Sequence, residues 1–236
     1  MTRKSSRASA DAAPALSRER ILAATLALID DKGVDEFSLR ELAKVLGVFP
    51  TAIYWHVPNR NELIAGAVAL ALRGVSEGPA GGPWQQRLRS LIERFRDALR
   101  RHPKLAPVIG HQLISNSALD LPMLELIVAA LEEAGFEGRG LVDAFNVVVA
   151  GMCGFVLLEL AAAPGSGAEA WAEAHRQSLA AIAGDDHPAL ARHLGRLRNN
   201  AFIVRWSSGT HKPMNASFSA WLDVIIGGLE LRASRG

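Results

Sequence analysis

The sequence has little cysteine, little net charge and no useful alternation of apolar and polar residues. Cys153 is the only cysteine in 236 residues, so an intramolecular disulfide is excluded, as is typical of a reducing compartment. Because 26 lysines and arginines are balanced by 24 acidic residues, the formal net charge is only +2. A nucleic-acid surface would therefore need local clustering of basic residues. The single cysteine favours a cytoplasmic protein. The absence of strand-like alternation, with helical spacing of apolar residues along the chain, predicts an all-α fold of about nine or ten helices.

Motifs of the common enzyme classes are also absent from the sequence. There is no glycine-rich phosphate loop, no nucleophile elbow and no HExxH zinc motif, and the 7 histidines are scattered. Cys153 lies in an apolar segment, which predicts an unreactive thiol. The run Asp185–His187 precedes Pro188, and this is more typical of a helix cap than of a metal site. We therefore predict no enzyme, no metal and no cofactor.

One long apolar run, Leu141 to Ala163, is long enough to span a bilayer. Asp143, Asn146 and Glu159 interrupt it, and a helix buried in a protein core is also apolar on all sides. We expect a buried core helix, with a membrane-associated protein as the alternative. The basic start of the chain is not followed by an apolar run, so no secretion signal is predicted.

Local signals near the beginning of the chain predict a helix-turn-helix. Residues 1–16 are rich in Ser, Ala and Arg and are predicted to form a disordered basic arm. Ser17 is typical of a helix N-cap, and Ser38 with Glu41 forms a capping-box pattern at the start of the next helix. Gly47 ends that helix, and Pro50 suits the first turn of another. A helix, a short glycine turn and a second helix are typical of this motif.

The second helix of this motif, predicted over Pro50–Val57, has two different faces. At 100° per residue, Ile53 and Val57 lie on one side and are predicted to face the core. The other residues are predicted to face outward: Thr51, Ala52, Tyr54, Trp55 and His56. Such a face is costly in water unless it meets a partner, and double-stranded DNA is the partner whose chemistry fits.

Each outward side chain suits one kind of DNA contact. The methyl groups of Thr51 and Ala52 suit thymine methyls, and the threonine hydroxyl suits base edges. Tyrosine and histidine donate hydrogen bonds to phosphates, which position the helix. Arg40 is the best candidate for a bidentate contact with guanine, and Arg60 for the flanking backbone. The basic arm at residues 1–16 either enters the minor groove or stays in solvent, and the second alternative is preferred.

The segment "SLRELAKVLGVFPTAIYWHVPNRNEL" resembles the helix-turn-helix of the TetR family of bacterial transcriptional repressors, and "YWHV" is similar to the tetracycline-repressor branch. The resemblance is strong over residues 17–70. It implies DNA contacts at a set of positions: Arg40, Pro50, Thr51, Tyr54, Trp55, His56 and Arg60. Where that branch has "QPTLYWHV", this chain has "PTAIYWHV". A glutamine suited to adenine is missing, so the operator sequence is not carried over.

The remainder of the chain is predicted to be helical and to form a dimer. We divide the chain into the arm at residues 1–16, a DNA-binding domain at 17–62 and an effector-binding and dimerisation domain at 63–236. Because one recognition helix reads few base pairs, a symmetric dimer is expected. The predicted interface combines the long apolar helix with the last helix: Val148, Val156, Phe218, Trp221, Leu222, Ile225 and Leu229. The alternative is that both helices are ordinary monomer core.

A small-molecule effector is implied by the resemblance, in a pocket between the helices of the second domain. Candidate contacts are polar residues among apolar neighbours, with three apolar ones: Phe95, His111, Asn116, Asn146, Met152, Phe155 and His175. The function implied is that of a ligand-responsive repressor, which binds a palindromic operator as a homodimer and is released by the effector. A ligand-dependent activator is the alternative. The effector, the operator and the regulated genes stay open.

Overall fold

The computed structural model describes residues 15–78, 81–115, 120–161, 168–182, 186–198, 200–202 and 214–235. Over these residues the protein is all-α, as predicted, with one short 3-10 helix at Pro103–Leu105. The α-helices are α1 (Arg18–Lys32), α2 (Leu39–Leu46), α3 (Pro50–Tyr54), α4 (Arg60–Ala71), α5 (Trp84–Arg101), α6 (Ala106–Ile114), α7 (Leu121–Glu133), α8 (Gly138–Leu160), α9 (Ala168–Ala180), α10 (Pro188–Leu197) and α11 (Asn215–Ala233). Residues 1–14 of the predicted arm and Asn116 lie outside the described residues.

The first helices begin and end where their capping residues predict. The hydroxyl of Ser17 accepts from the backbone N–H of Arg20, and that of Ser38 accepts from the N–H of Glu41. The carboxylate of Glu41 also pairs with Lys32 Nζ of α1. Gly47 ends α2 with φ +69° and ψ +33°, a left-handed conformation that glycine adopts without steric cost.

Helices α1 to α4 share one apolar core. The side chains of Ile21, Leu42, Ile53 and Val57 are fully buried in it, and Leu63 of α4 joins them. Helix α4 packs along α1. The predicted domain boundary after residue 62 falls inside α4.

Two contacts connect α1 to the second domain. His102 Nδ1, at the end of α5, lies 2.8 Å from Asp30 Oδ2 of α1. Just beyond it, Lys104 Nζ donates to the backbone oxygen of Asp31. Because both acceptors lie in the last turn of α1, the end of this helix is tied to the start of the second domain.

Helix α8 is the long apolar helix expected from the sequence, and it packs against α5, α6, α7 and α11. Within the described ranges it is also the one helix long and apolar enough to cross a membrane by length and composition. Its Glu159 is buried against Arg96 of α5. These contacts place α8 among the helices of the second domain.

Candidate nucleic-acid interface

The predicted recognition helix, α3, is shorter than expected, because the regular helix ends at Tyr54 rather than at Val57. Trp55 and His56 form a turn, and the N–H groups of His56 and Val57 both donate to the backbone oxygen of Ile53 at 2.9 Å. Ile53 and Val57 each have 0% exposure. The predicted inward pair is thus confirmed, and it fixes which side of α3 faces away from the domain.

Four of the five predicted outward residues are exposed to solvent. Trp55 is 88% exposed and Tyr54 is 49% exposed. Thr51 and His56 are also exposed, and Ala52 and Pro50 are half-buried. Arg40 is exposed in the first turn of α2. This face therefore offers hydroxyl, imidazole, indole and guanidinium groups to a partner.

Arg60 has partners inside the chain. Its Nη2 donates to the backbone oxygen of Val34 at 2.6 Å, and its Cζ lies 5.8 Å from the centre of the Phe37 ring. These contacts hold the loop between α1 and α2 against the start of α4. A guanidinium has five N–H donors, so phosphate contact by Arg60 stays a prediction.

Two large exposed apolar side chains in the same part of the chain were missed by sequence reasoning. Phe49 is 82% exposed and Val45 is 59% exposed. Phe49 is the N-cap of α3, and its backbone is extended, with φ −75° and ψ 145°. Phe49 lies four residues before Ile53, so helical periodicity alone would have placed its side chain toward the core. The extended backbone turns it outward, and an apolar residue at a position where Ser, Thr, Asp or Asn is preferred was the available signal.

The predicted dimer residues lie largely within the chain's own core. Five of them are buried within the chain's own core: Val148, Val156, Phe218, Leu222 and Leu229. Trp221 and Ile225 are half-buried and pack against the same core. The Phe218 and Trp221 rings lie 5.2 and 5.3 Å from that of Phe155 on α8, centre to centre. A side chain enclosed by its own chain leaves little surface for a partner.

A different set of apolar residues on α8 and α11 is exposed. These residues are Val142, Val147, Leu157 and Leu158 on α8, and Val224 and Leu231 on α11. A groove of about 160 Å³ between the two helices is lined by Val147, Val224 and Ile225, among others. We call these six exposed residues and this groove the α8–α11 face.

The predicted effector residues differ widely in position. Phe95, Met152 and Phe155 are buried in the core, whereas His111 and Asn146 are exposed. His175 is half-buried, and its ring stacks on Trp171 with centres 5.0 Å apart.

Neither of two further cavities contains any of these seven residues. One, of about 440 Å³, lies between the end of α4 and the start of α7, with Leu72, Glu77 and Asp120 in its wall. The other, of about 300 Å³, is lined by residues of α10 and α11 and by Phe202. Among the residues that the structure describes, no group of three or more His, Cys, Asp or Glu side chains is placed to hold a metal ion.

Comparison with known proteins matches two family models. Residues 21–67 match the model described as bacterial regulatory proteins of the tetR family, and residues 78–233 match the tetracyclin repressor-like C-terminal domain. The tetracycline repressor protein class D of Escherichia coli is 39% identical over 90 residues, which are 37% of this chain and 41% of that relative. The chain thus spans about two fifths of the first curated relatives it matches.

Solved structures share the fold. The structure of BioQ with its natural double-stranded DNA operator is 26% identical, with a TM-score of 0.58, over 62% of this chain and 87% of that one. The Streptomyces coelicolor TetR family protein ActR, in complex with (S)-DNPA, is 20% identical, with a TM-score of 0.67, over 93% of this chain and 99% of that one.

Proposed function

The chain belongs to the TetR family of bacterial regulatory proteins, and on that premise we propose that it is a ligand-responsive transcriptional repressor of the cytoplasm. It binds a palindromic operator as a homodimer and leaves the operator when a small-molecule effector binds. The observation that carries the proposal is the division between buried and exposed side chains in α3 and the turn that follows it, with Ile53 fully buried and Trp55 88% exposed. No catalytic role is proposed.

The DNA contacts follow from the exposed face of α2 and α3. Thr51 and Ala52 lie near the beginning of α3, which is the end of a recognition helix that meets base edges. Tyr54, Trp55 and His56 follow at its end, where their ring N–H and O–H groups suit phosphates. The guanidinium of Arg40 has paired N–H donors that suit the O6 and N7 atoms of guanine.

The homodimer is proposed to form through the α8–α11 face. Val224 is 72% exposed and Leu158 is 50% exposed, and two copies of this face would bury these side chains in a bundle of four helices. A two-fold dimer would place two α3 helices about one turn of DNA apart, which matches the half-sites of a palindrome.

Effector release is proposed to act through the end of α1. The hydrogen bond between His102 and Asp30 and the hydrogen bond from Lys104 join this end to the second domain. An effector that binds better to one arrangement of the second domain would shift the position of α1 and with it α3. The ligand complex of ActR supports a small-molecule partner for this fold.

The first experiment selects operators from a random DNA library with the full chain and then compares Arg40→Ala with Arg139→Ala. Arg139 is the matched control, since its side chain is 87% exposed on α8, away from α3. Arg40→Ala should lose discrimination at one base pair per half-site by about 1–3 kcal/mol. Arg139→Ala should bind like the unmodified protein. Equal base preferences in all three proteins would contradict this assignment.

A second experiment tests the dimer by light scattering. Val224→Asp puts a charge on the α8–α11 face and should give monomers that bind the operator weakly. The control is Leu190→Asp on α10, where Leu190 is 39% exposed outside that face. Dimers that persist in Val224→Asp would place the interface elsewhere. A reporter placed downstream of the selected operator separates a repressor from the alternative, a ligand-dependent activator.

A further inference from the structure

Phe49 has no structural role that accounts for its position. It is 82% exposed, and its side chain makes no capping hydrogen bond for α3. An N-cap is favoured when a side-chain oxygen accepts from the first free N–H groups of the helix, and phenylalanine has no such oxygen. Its side chain therefore stabilises neither the helix end nor the core.

Phe49 is one of four large apolar or aromatic side chains that are exposed between residues 45 and 55. The other three are Val45 at 59% exposure, Tyr54 at 49% and Trp55 at 88%. Concentrated apolar exposure of this kind indicates contact with a partner. Phe49 directly precedes Pro50, so it stands at the N-terminal end of the recognition helix, where base edges are contacted.

The apolar ring of Phe49 limits which groups of DNA it can contact. Phenylalanine has no hydrogen-bond donor or acceptor, so neither a phosphate nor the polar atoms of a base edge suit it. The apolar group on the major-groove edge of the base pairs is the C5-methyl of thymine. We propose that Phe49 is a specificity-determining residue, which reads a thymine methyl in each half-site of the operator. This proposal rests on the proposed DNA-binding function.

The decisive experiment removes the thymine methyl group from the operator and the phenyl ring from Phe49, first separately and then together. The operator selected with the full chain is resynthesised with each thymine replaced in turn by uracil, which lacks only the C5-methyl. The unmodified protein and Phe49→Ala are each titrated against every operator. Leu121→Ala is the control for loss of an exposed apolar side chain, since Leu121 is 65% exposed at the start of α7.

One uracil position per half-site should weaken the unmodified protein by about fourfold, the factor that corresponds to burial of one methyl group. The same position should have no effect on Phe49→Ala, and Leu121→Ala should behave as the unmodified protein does. At that position, 5-methylcytosine paired with guanine should bind the unmodified protein better than cytosine paired with guanine, because its methyl group lies in the same groove.

The proposal is overturned if no uracil substitution distinguishes Phe49→Ala from the unmodified protein. A circular dichroism melt of Phe49→Ala should match that of the unmodified protein, as expected for so exposed a side chain, and this excludes loss of folding as the cause. If the full chain selects no DNA sequence at all, the proposed DNA-binding function fails, and the role of Phe49 fails with it. Selection of an operator without the uracil effect therefore rejects the role of Phe49 alone.

Discussion

Arg96 of α5 and Glu159 of α8 form a bidentate ion pair inside the second domain. Arg96 Nε donates to Glu159 Oε2 at 2.7 Å, and Nη2 donates to Oε1 at 2.5 Å. The two side chains are 7% and 1% exposed. The N–H of Met214 also donates to Oε1, and Nη2 donates to Asn215 Oδ1 at 2.9 Å. The pair thus joins α5 and α8 to the beginning of α11.

Glu159→Gln should strongly destabilise the protein. The change keeps the shape of the side chain but leaves the buried guanidinium of Arg96 without its counter-charge, which costs about 3–5 kcal/mol in such pairs. Urea unfolding measures the loss. The control is Glu173→Gln, whose partner Arg176 lies on the same exposed turn of α9, and we expect no measurable change there. A double change, Arg96→Met with Glu159→Leu, should recover much of the loss.

Stability should also depend on pH through Glu159. Burial alone would raise the pKa of this carboxyl, but hydrogen bonds from Arg96 and from the N–H of Met214 outweigh burial and lower the pKa. A lowered pKa in the folded state means that the stabilisation is complete above the ordinary value of about 4.3. It is lost as the pH falls from there through the folded-state pKa. Urea unfolding should be less sensitive to acid in Glu159→Gln, and equal sensitivity in both proteins would contradict this.

Ile53→Ala and Trp55→Ala, two residues apart, should differ in their effects on stability and on operator binding. Ile53→Ala removes a fully buried side chain and should cost about 2–5 kcal/mol of stability. Trp55→Ala removes a side chain that is 88% exposed, so unfolding should be unchanged while operator binding weakens. Thermal unfolding and gel-shift titration of both variants measure the two effects. A large loss of stability in Trp55→Ala would mean that its indole packs within the protein.

Gly47→Ala should destabilise the turn between α2 and α3. Nothing lies within 4 Å of an added Cβ, but φ is +69°, and that conformation costs a residue with a side chain about 1–2 kcal/mol. Gly195→Ala is the matched control, since it has equal space within α10 without a positive φ. Alanine there should stabilise the helix by up to about 1 kcal/mol. Chemical denaturation should therefore give changes of opposite sign.

Cys153 should react slowly with alkylating reagents while the protein is folded. Burial raises the pKa of its thiol to about 11, so about one molecule in ten thousand carries the reactive thiolate at pH 7. In urea the ordinary pKa of about 8.5 returns and reaction should accelerate. Because the chain has 1 cysteine, mass spectrometry after iodoacetamide reports this site alone. Equal rates in the folded and unfolded protein would show that the thiol is open to solvent.

The sequence by itself determined the parts of the protein that depend on local interactions. Ser17 and Ser38 accept hydrogen bonds from N–H groups three residues away, and caps of this kind are recognisable in any context. The inward position of Ile53 and Val57 followed from helical periodicity, because one turn separates them and most of the residues around them are polar or aromatic.

Tertiary structure decided which apolar face of α8 and α11 is core. Both helices carry apolar residues on more than one side, so Leu222 and Val224 are alike in the sequence, although one is buried and the other is 72% exposed. The partner of Glu159 is 63 residues away along the chain, beyond any local pattern. Periodicity reports that a side chain is apolar, whereas packing of distant helices decides whether its own chain or another molecule covers it.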